Sequence, residues 1–166
     1  GSQYEEIVYE GYGPDGVAII MDIMTDNKNR TAADIRQILS RKGGSLGSTG
    51  CVGWMFEKKG VITIPGDAMG EDKLMELVLE AGAEDMTLED GVFEVITPPD
   101  AFSDVLAALE RAGVKTESAE VTRIQTSGEP VRYTDPAKAQ KVIDLLETLD
   151  EHDDVSSLAS NFDFAS

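Results

Sequence analysis

The sequence has one cysteine, one histidine and no long apolar run. Each of these shortages argues against a class of protein or site. Its one cysteine, Cys51, cannot form an intrachain disulfide, which is typical of a chain in a reducing compartment. The longest apolar run, 17–21, has five residues, whereas a membrane-spanning helix needs roughly 20. We therefore expect a folded soluble protein of the cytoplasm, or of the mitochondrial matrix in a eukaryote, with no membrane partner.

The single histidine leaves few ways to build a catalytic or metal site. His152 lies in the polar segment 150–154, which is predicted to be a solvated turn after a helix. Cys51 has no other histidine to act as its base, and 26–30 places cations where a calcium loop needs oxygen ligands. Carboxylates are too numerous for any one pair to identify an acid and a base. We expect no catalytic residue, no metal site and no cofactor, and hence a protein that is not an enzyme.

Positive charge is scarce overall but concentrated in one part of the chain. The protein has 14 Lys and Arg against 32 Asp and Glu, a net charge of −18, which argues against a surface that coats DNA or RNA throughout. Between Asn27 and Lys59 seven cations are accompanied only by Asp34 and Glu57. These cations are Lys28, Arg30, Arg36, Arg41, Lys42, Lys58 and Lys59. The stretch is predicted either to bind a polyanion or to form an ordinary solvated helix face followed by a turn.

A glycine-rich segment, 43–50, lies within this basic stretch. It lacks the lysine of a Walker A loop, and it follows a helix and precedes a strand, the reverse of a dinucleotide-binding loop. Two interpretations remain: a mobile turn whose backbone N–H groups contact phosphates, or a simple connection after a helix end. Besides the seven cations, the candidate nucleic-acid-binding residues are Gly43, Gly44, Ser45, Gly47, Ser48, Thr49 and Tyr12.

The segment 60–126 has the pattern of a ferredoxin-like domain. Apolar alternation and helical periodicity, separated by turn residues, predict the order β-α-β-β-α-β. The predicted strands are 61–64, 85–88, 92–97 and 116–124, and the predicted helices are 71–81 and 101–112. Because the ends of such a unit lie close together, it can be inserted into another domain.

The flanking segments, 3–59 and 127–166, are predicted to form one discontinuous α+β domain around that insertion. Its expected strands are 17–24, 51–56 and 155–162, with Trp54 and Phe56 in the core. One helix is expected to run to Lys42, with Thr31 as its cap and Asp34 completing a capping box. A second is expected to begin at Asp135-Pro136. The predicted fold class is therefore α+β, with two α/β-sandwich domains, one inserted into the other.

Four motifs, taken in order, resemble the YebC family, which includes a bacterial regulator and the mitochondrial translational activator of cytochrome oxidase. They are YEGYGP (9–14), TDNKNRT (25–31), GGSLGSTG (43–50) and WMFEKKG (54–60). The resemblance implies three domains: a basic N-terminal helical bundle, a middle α+β domain and an inserted ferredoxin-like domain. On this expectation the sequence begins at the middle domain. It departs from the family pattern at Asp15, where glycine is usual, at Ser48, where an acid is common, and across 126–133.

The resemblance implies a regulator of gene expression. Family members are similar to transcriptional regulators that bind promoter DNA and to translation factors that act on ribosomes, including at proline-rich stalls. We favour the ribosome, its RNA or another nucleic acid as partner, in a translational role. No helix-turn-helix is evident, whereas a glycine loop, basic helix ends and Tyr4, Tyr9 and Tyr12 suit irregular RNA. A DNA-binding transcriptional regulator and a small-molecule-sensing ferredoxin-like module remain alternatives, and no oligomeric state is predicted.

Overall fold

The structure, a computed structural model, describes residues 3–165 of the chain. The chain divides into two compact units. The first unit ends at Glu57 and resumes at Ile124, and the second comprises Lys58–Arg123. Within residues 3–165, no helix combines the length and the apolar character needed to cross a membrane.

Ten strands and four α-helices are described, and the α+β class predicted from the sequence is confirmed. The strands are β1 Glu5–Tyr12, β2 Ala18–Thr25, β3 Ser45–Leu46, β4 Phe56–Pro65, β5 Asp85–Glu89, β6 Val92–Thr97, β7 Ser118–Gln125, β8 Val131–Tyr133, β9 Val155–Ser160 and β10 Phe162–Phe164. The helices are α1 Lys28–Arg41, α2 Glu71–Ala81, α3 Phe102–Arg111 and α4 Pro136–Asp150.

The first unit is built on a four-stranded sheet in the order β3-β1-β2-β9. β1 runs antiparallel to β2 along its whole length, from Glu5 opposite Thr25 to Tyr12 opposite Ala18. The first half of β2, Ala18 to Met21, is apolar and buried on both faces. The odd-numbered residues of β2 pack with α1 and α4 in a core that includes Ile19, Met21, Ile23, Ile35, Leu39, Leu145 and Leu149. On the opposite face a smaller core contains Ala18, Ile20, Val52, Met55 and Phe56.

The start of α1 differs from the predicted one. Asn27 caps the helix, and its side-chain oxygen accepts a hydrogen bond from the backbone N–H of Arg30 at 3.1 Å. Thr31 lies inside the first turns, fully buried, and its hydroxyl donates to Asp154 at 2.7 Å. The predicted Thr31 cap and Asp34 capping box are therefore wrong. Several residues in 26–34 can cap a helix, and Thr31 is held instead by a partner distant in sequence.

The predicted strand over 51–56 is also wrong. Gly53–Met55 form a 3-10 turn, and β4 begins only at Phe56. Val52 and Phe56 are buried as expected, but the Trp54 side chain is 62% exposed. The segment packs Val52, Met55 and Phe56 on the second face of the sheet, and the 3-10 turn between them leaves Trp54 outside that core. Its amides bind the Glu10 carboxylate and not a neighbouring strand.

The second unit is a ferredoxin-like sandwich with sheet order β5-β6-β4-β7. β6 runs antiparallel to both β4 and β5. α2 and α3 pack on one face, around a core that contains Ile62, Ile64, Leu74, Val78, Phe93, Val95, Val105 and Leu109. The bounds of α2 and β6 coincide with the predicted ones, whereas β4 starts five residues before the predicted Val61. These elements form where the apolar period is regular and turn residues stand at both ends.

Candidate nucleic-acid interface

The cations of α1 do not all have the same surroundings. Lys28 and Arg36 are exposed. Arg30 instead lies 3.4 Å from the carboxylates of both Asp26 and Asp154. Its positive charge is therefore shared with two acids of the first unit, so Arg30 is the member of this group least suited to a phosphate contact.

The C-terminal end of α1 carries two exposed cations next to the glycine turn. Arg41 is the last helical residue and Lys42 the cap, and both side chains are exposed. Gly43 follows with φ = +82°, a conformation that glycine adopts without strain. The amide of Gly44 donates to the Leu39 carbonyl at 2.8 Å. This arrangement places the two cations beside a tight turn with no acidic residue in it.

Glu10 of β1 holds the rest of the glycine loop in place. Its carboxylate, which is buried, accepts hydrogen bonds from the backbone N–H groups of Gly50 at 2.7 Å, Val52 at 3.1 Å and Gly53. Its backbone carbonyl accepts from Gly47 at 2.8 Å. The amides of Gly43, Gly44, Gly47 and Gly50 thus bond within the protein, which favours the second of the two interpretations, a connection after a helix end. Sequence reasoning missed Glu10, because one acid among many on a chain this acidic gives no signal.

The loop presents hydroxyl groups to solvent instead. The side chains of Ser45, Ser48 and Thr49 are exposed, whereas Gly44 and Gly47 are half-buried. Tyr12 is also half-buried and directs its hydroxyl toward the Cys51 carbonyl at 3.5 Å. Any contact with a phosphate through this loop would therefore use the hydroxyl groups, and Tyr12 serves the packing of the loop.

Three other residues considered as RNA contacts, Tyr9, Lys58 and Lys59, differ in their local surroundings. Tyr9 donates to the Lys28 carbonyl at 3.1 Å, and burial raises the pKa of its phenol, against the opposing effect of the Arg36 guanidinium. Lys58 and Lys59 belong to the second unit, where Lys59 forms a 2.7 Å ion pair with Glu84. The first unit thus brings together Arg41, Lys42, Tyr12 and the loop.

Comparison with known proteins decides which family this fold and loop belong to. The family model for the second and third domains of TACO1/YebC proteins matches residues 4–162. The chain belongs to the TACO1/YebC family. The resemblance drawn from its four motifs is therefore confirmed.

Curated members of the TACO1/YebC family are about half identical to this chain. A protein of Symbiobacterium thermophilum is 50% identical over 165 residues, which cover 98% of this chain and 67% of the relative. One of Desulforapulum autotrophicum is 50% identical over 163 residues, covering 98% of this chain and 65% of the relative. Both carry the name probable transcriptional regulatory protein. The chain thus spans about two thirds of the length of these relatives.

A solved structure shares the fold of this TACO1/YebC chain. It is that of a conserved hypothetical protein from Aquifex aeolicus, with a TM-score of 0.83 and 40% sequence identity. The match covers 100% of this chain and 68% of the other.

Asp15 lies in the turn after β1 and makes a specific contact with β8. It adopts φ = +57°, a left-handed conformation that is unusual for a residue other than glycine. Its carboxylate accepts a 2.7 Å hydrogen bond from the hydroxyl of Tyr133. Burial, and then this bond to Asp15, raise the pKa of Tyr133 to about 12. The contact joins the turn after β1 to β8.

A polar cluster around Asp154 closes the other end of α1. The backbone N–H of Asp154 donates to Nδ1 of His152 at 3.1 Å, and Nε2 of His152 lies 3.0 Å from Asp34. The prediction of a solvated His152 is therefore wrong, because the folded turn brings Asp34 of α1 against the ring. The hydroxyl hydrogen bond from Thr31 is the largest of the effects that hold the pKa of Asp154 below its usual value.

Replacing Asp154 with asparagine is expected to reduce stability at pH 7 and to matter less in acid. A carboxyl whose folded-state pKa is lowered stabilises the fold above its unfolded pKa, and that contribution disappears as pH falls through the folded pKa. From the loss of charge-assisted hydrogen bonds, D154N should lower the free energy of unfolding by about 2 kcal/mol at pH 7. Urea unfolding at a series of pH values measures the difference. The control is the exposed neighbour Asp153 changed to asparagine. If the difference in free energy of unfolding between D154N and wild type grew as the pH fell, the lowered pKa of Asp154 would be contradicted.

Proposed function

We propose that this chain is the RNA-engaging part of a gene-expression regulator that acts as a ribosome-associated translation factor. In this proposal the end of α1 and the loop that follows it, residues 41–56, approach RNA phosphates. We expect the second unit not to contact RNA extensively. The chain spans about two thirds of its curated relatives, so the activity proposed is that of the whole natural protein.

The observation that carries the proposal is the absence of carboxylates from 41–56. The chain has 32 Asp and Glu among 166 residues, yet this stretch contains none and begins with Arg41 and Lys42. A polyanion is repelled by most of this protein and can approach closely only where acids are missing. The exposed Ser45, Ser48 and Thr49 add hydroxyl donors of the kind that bind phosphate oxygens.

The order of the elements favours irregular RNA over the major groove of DNA. In residues 3–165 every α-helix is followed by at least one strand before the next helix, so the consecutive helices of a helix-turn-helix are not formed. Each helix also packs its apolar side into a core. Loops with hydroxyl groups and cations suit the phosphates and 2′-hydroxyls of folded RNA.

Reversing the charge at Arg41 and Lys42 tests the proposal. In the full natural protein, R41E/K42E is expected to weaken association with ribosomes about tenfold or more and to flatten its dependence on salt, because each lost phosphate contact removes counterion release. Co-sedimentation with ribosomes at a series of salt concentrations measures both effects.

The matched control is K138E/K141E, which makes the same change of charge at two exposed positions of α4 in the same unit. It should retain most of the association. Equal losses in the two double variants would show a general effect of net charge, and unchanged association of R41E/K42E would exclude this surface.

The names of the curated relatives favour a second candidate, a DNA-binding transcriptional regulator. That function requires a clear preference for a defined promoter over random DNA at physiological salt. Footprinting of the full natural protein on genomic fragments decides between the two. Protection of one promoter, together with the absence of ribosome association, would favour transcription.

A further inference from the structure

Trp54 is exposed where the sequence pattern predicts a core residue. It is the only tryptophan of the chain, and the residue is 62% exposed. Its neighbours Met55 and Phe56 are buried and fix the backbone on which it stands. A large exposed aromatic ring on an anchored turn is a feature that the folding of the first unit does not explain.

The indole ring is held in a defined orientation. Its Nε1–H donates to the carbonyl of Cys51 at 3.3 Å, so the polar edge is bonded within the protein. A Cβ atom added at Gly128 would lie 3.2 Å from Cη2 of Trp54, which shows how closely the backbone there approaches the ring. The Thr126 amide donates to the Met55 carbonyl at 2.8 Å and ties that segment to the turn. A ring already fixed in this way loses little conformational entropy when a ligand stacks on it.

The segments next to the ring are poor in acids, and the exposed Glu57 and Glu129 lie just beyond them. The two segments that flank it, 43–56 and 124–128, contain no Asp or Glu. The acid that bonds to this turn is Glu10, which is buried and holds three backbone N–H groups. On a chain of net charge −18, a stretch of fourteen residues without a carboxylate, 43–56, favours the approach of a nucleotide to the aromatic face that it carries.

We propose that Trp54 is a stacking platform for an unpaired nucleobase of the bound RNA. This inference rests on the proposed function and specifies that the loop binds an unpaired nucleotide of the RNA. With Nε1–H bonded internally, Trp54 reads no base edge, so it stacks on a base without selecting its sequence. Phosphates on either side of the stacked nucleotide contact the hydroxyl groups of Ser48 and Thr49, which belong to the same loop.

Two substitutions distinguish stacking from hydrophobic contact with a protein. Trp54→Phe keeps an aromatic face, whereas Trp54→Leu keeps apolar area without a π surface. Stacking on aromatic side chains is worth enough that W54L should weaken RNA binding about tenfold, while W54F should lose only about threefold. A protein contact would tolerate leucine about as well as phenylalanine.

The experiment uses this chain and single-stranded oligonucleotides. Because Trp54 is the only tryptophan, its fluorescence reports directly on the ring. Titration with a single-stranded RNA decamer should quench the emission, and a duplex of the same sequence should quench it much less. Affinities of wild type, W54F and W54L are measured with the same labelled decamer by anisotropy, and ribosome co-sedimentation of W54L is compared with that of R41E/K42E in the full natural protein.

The outcomes separate the inference from the proposed function. RNA binding without quenching, or equal affinities for W54L and wild type, would overturn the role of Trp54 and leave the basic surface intact. Ribosome association that is lost in R41E/K42E but unchanged in W54L would overturn it in the same way. If neither the decamer nor the ribosome binds to any form, the proposed function fails and the inference fails with it.

Discussion

Replacing Glu10 with alanine is expected to lower the free energy of unfolding by about 3 kcal/mol, because three backbone N–H groups lose a charged acceptor. The carboxylate accepts from Gly50, Val52 and Gly53, and the segment it holds packs Val52 and Met55 against β2. E10A should therefore release the whole loop. Urea unfolding followed by circular dichroism measures the global effect, and amide hydrogen exchange at Gly50, Val52 and Gly53 measures the local one.

Two further variants make the Glu10 result specific. Glu6 lies on the same strand and is exposed, so E6A should change stability by less than about 0.5 kcal/mol. Glu10→Gln keeps the size of the side chain but replaces one acceptor oxygen with an NH₂ group, which faces N–H groups and cannot accept from them. E10Q should fall between wild type and E10A. If E10A leaves exchange at the three amides unchanged, the carboxylate does not hold the loop.

Replacing Gly44 with alanine is expected to destabilise the first unit by about 3 kcal/mol, through a clash that the backbone must move to relieve. A Cβ atom at this position would lie 2.1 Å from the carbonyl oxygen of Tyr12 and 3.0 Å from Cα of Gly13. Because both are backbone atoms, no side-chain rotation can make room. The pairing of Ser45 with Tyr12 at the edge of the sheet should weaken as well, which hydrogen exchange can detect.

The adjacent glycine provides the control for this experiment. Gly43 has a positive φ, but a Cβ atom there would have only Pro14 Cγ within reach, at 4.0 Å. G43A should thus lower stability by about 1 kcal/mol, the strain of a left-handed residue without a clash. Thermal or urea unfolding of both variants ranks them. A larger loss for G43A than for G44A would show that conformation, and not space, decides the choice of glycine here.

Regular elements were predictable because local sequence and tertiary packing agree there. Helix α2 and strand β6 have the predicted bounds, and α4 begins after its Asp135 cap as expected. In each case the apolar period matches the side that becomes buried, and a proline, a glycine or a capping residue marks an end. The error at Thr31 occurs because its partner, Asp154, is distant in sequence. Sequence reasoning also did not identify β1 as a strand, although β1 pairs with its sequence neighbour β2.

The candidate site was predictable in part. Composition identified the cations near the glycine loop, because charge can be counted without a fold. It did not show that Arg30 is paired with Asp26 and Asp154, or that Lys59 is paired with Glu84. Trp54 was assigned to the core from the alternating apolar pattern of 51–56. That pattern is the same whether the segment forms a strand or the 3-10 turn that the structure shows.

By itself, the sequence determined the family, the α+β class, most helices and the segment free of carboxylates that could face a polyanion. These properties depend on residue type and on spacing over a few positions, which the linear order contains. Only the tertiary structure decided which way the glycine loop faces and which aromatic side chain is exposed. The loop is held by Glu10, whose carboxylate meets amides 40 to 43 residues away, and such a contact exists only after the strands have paired.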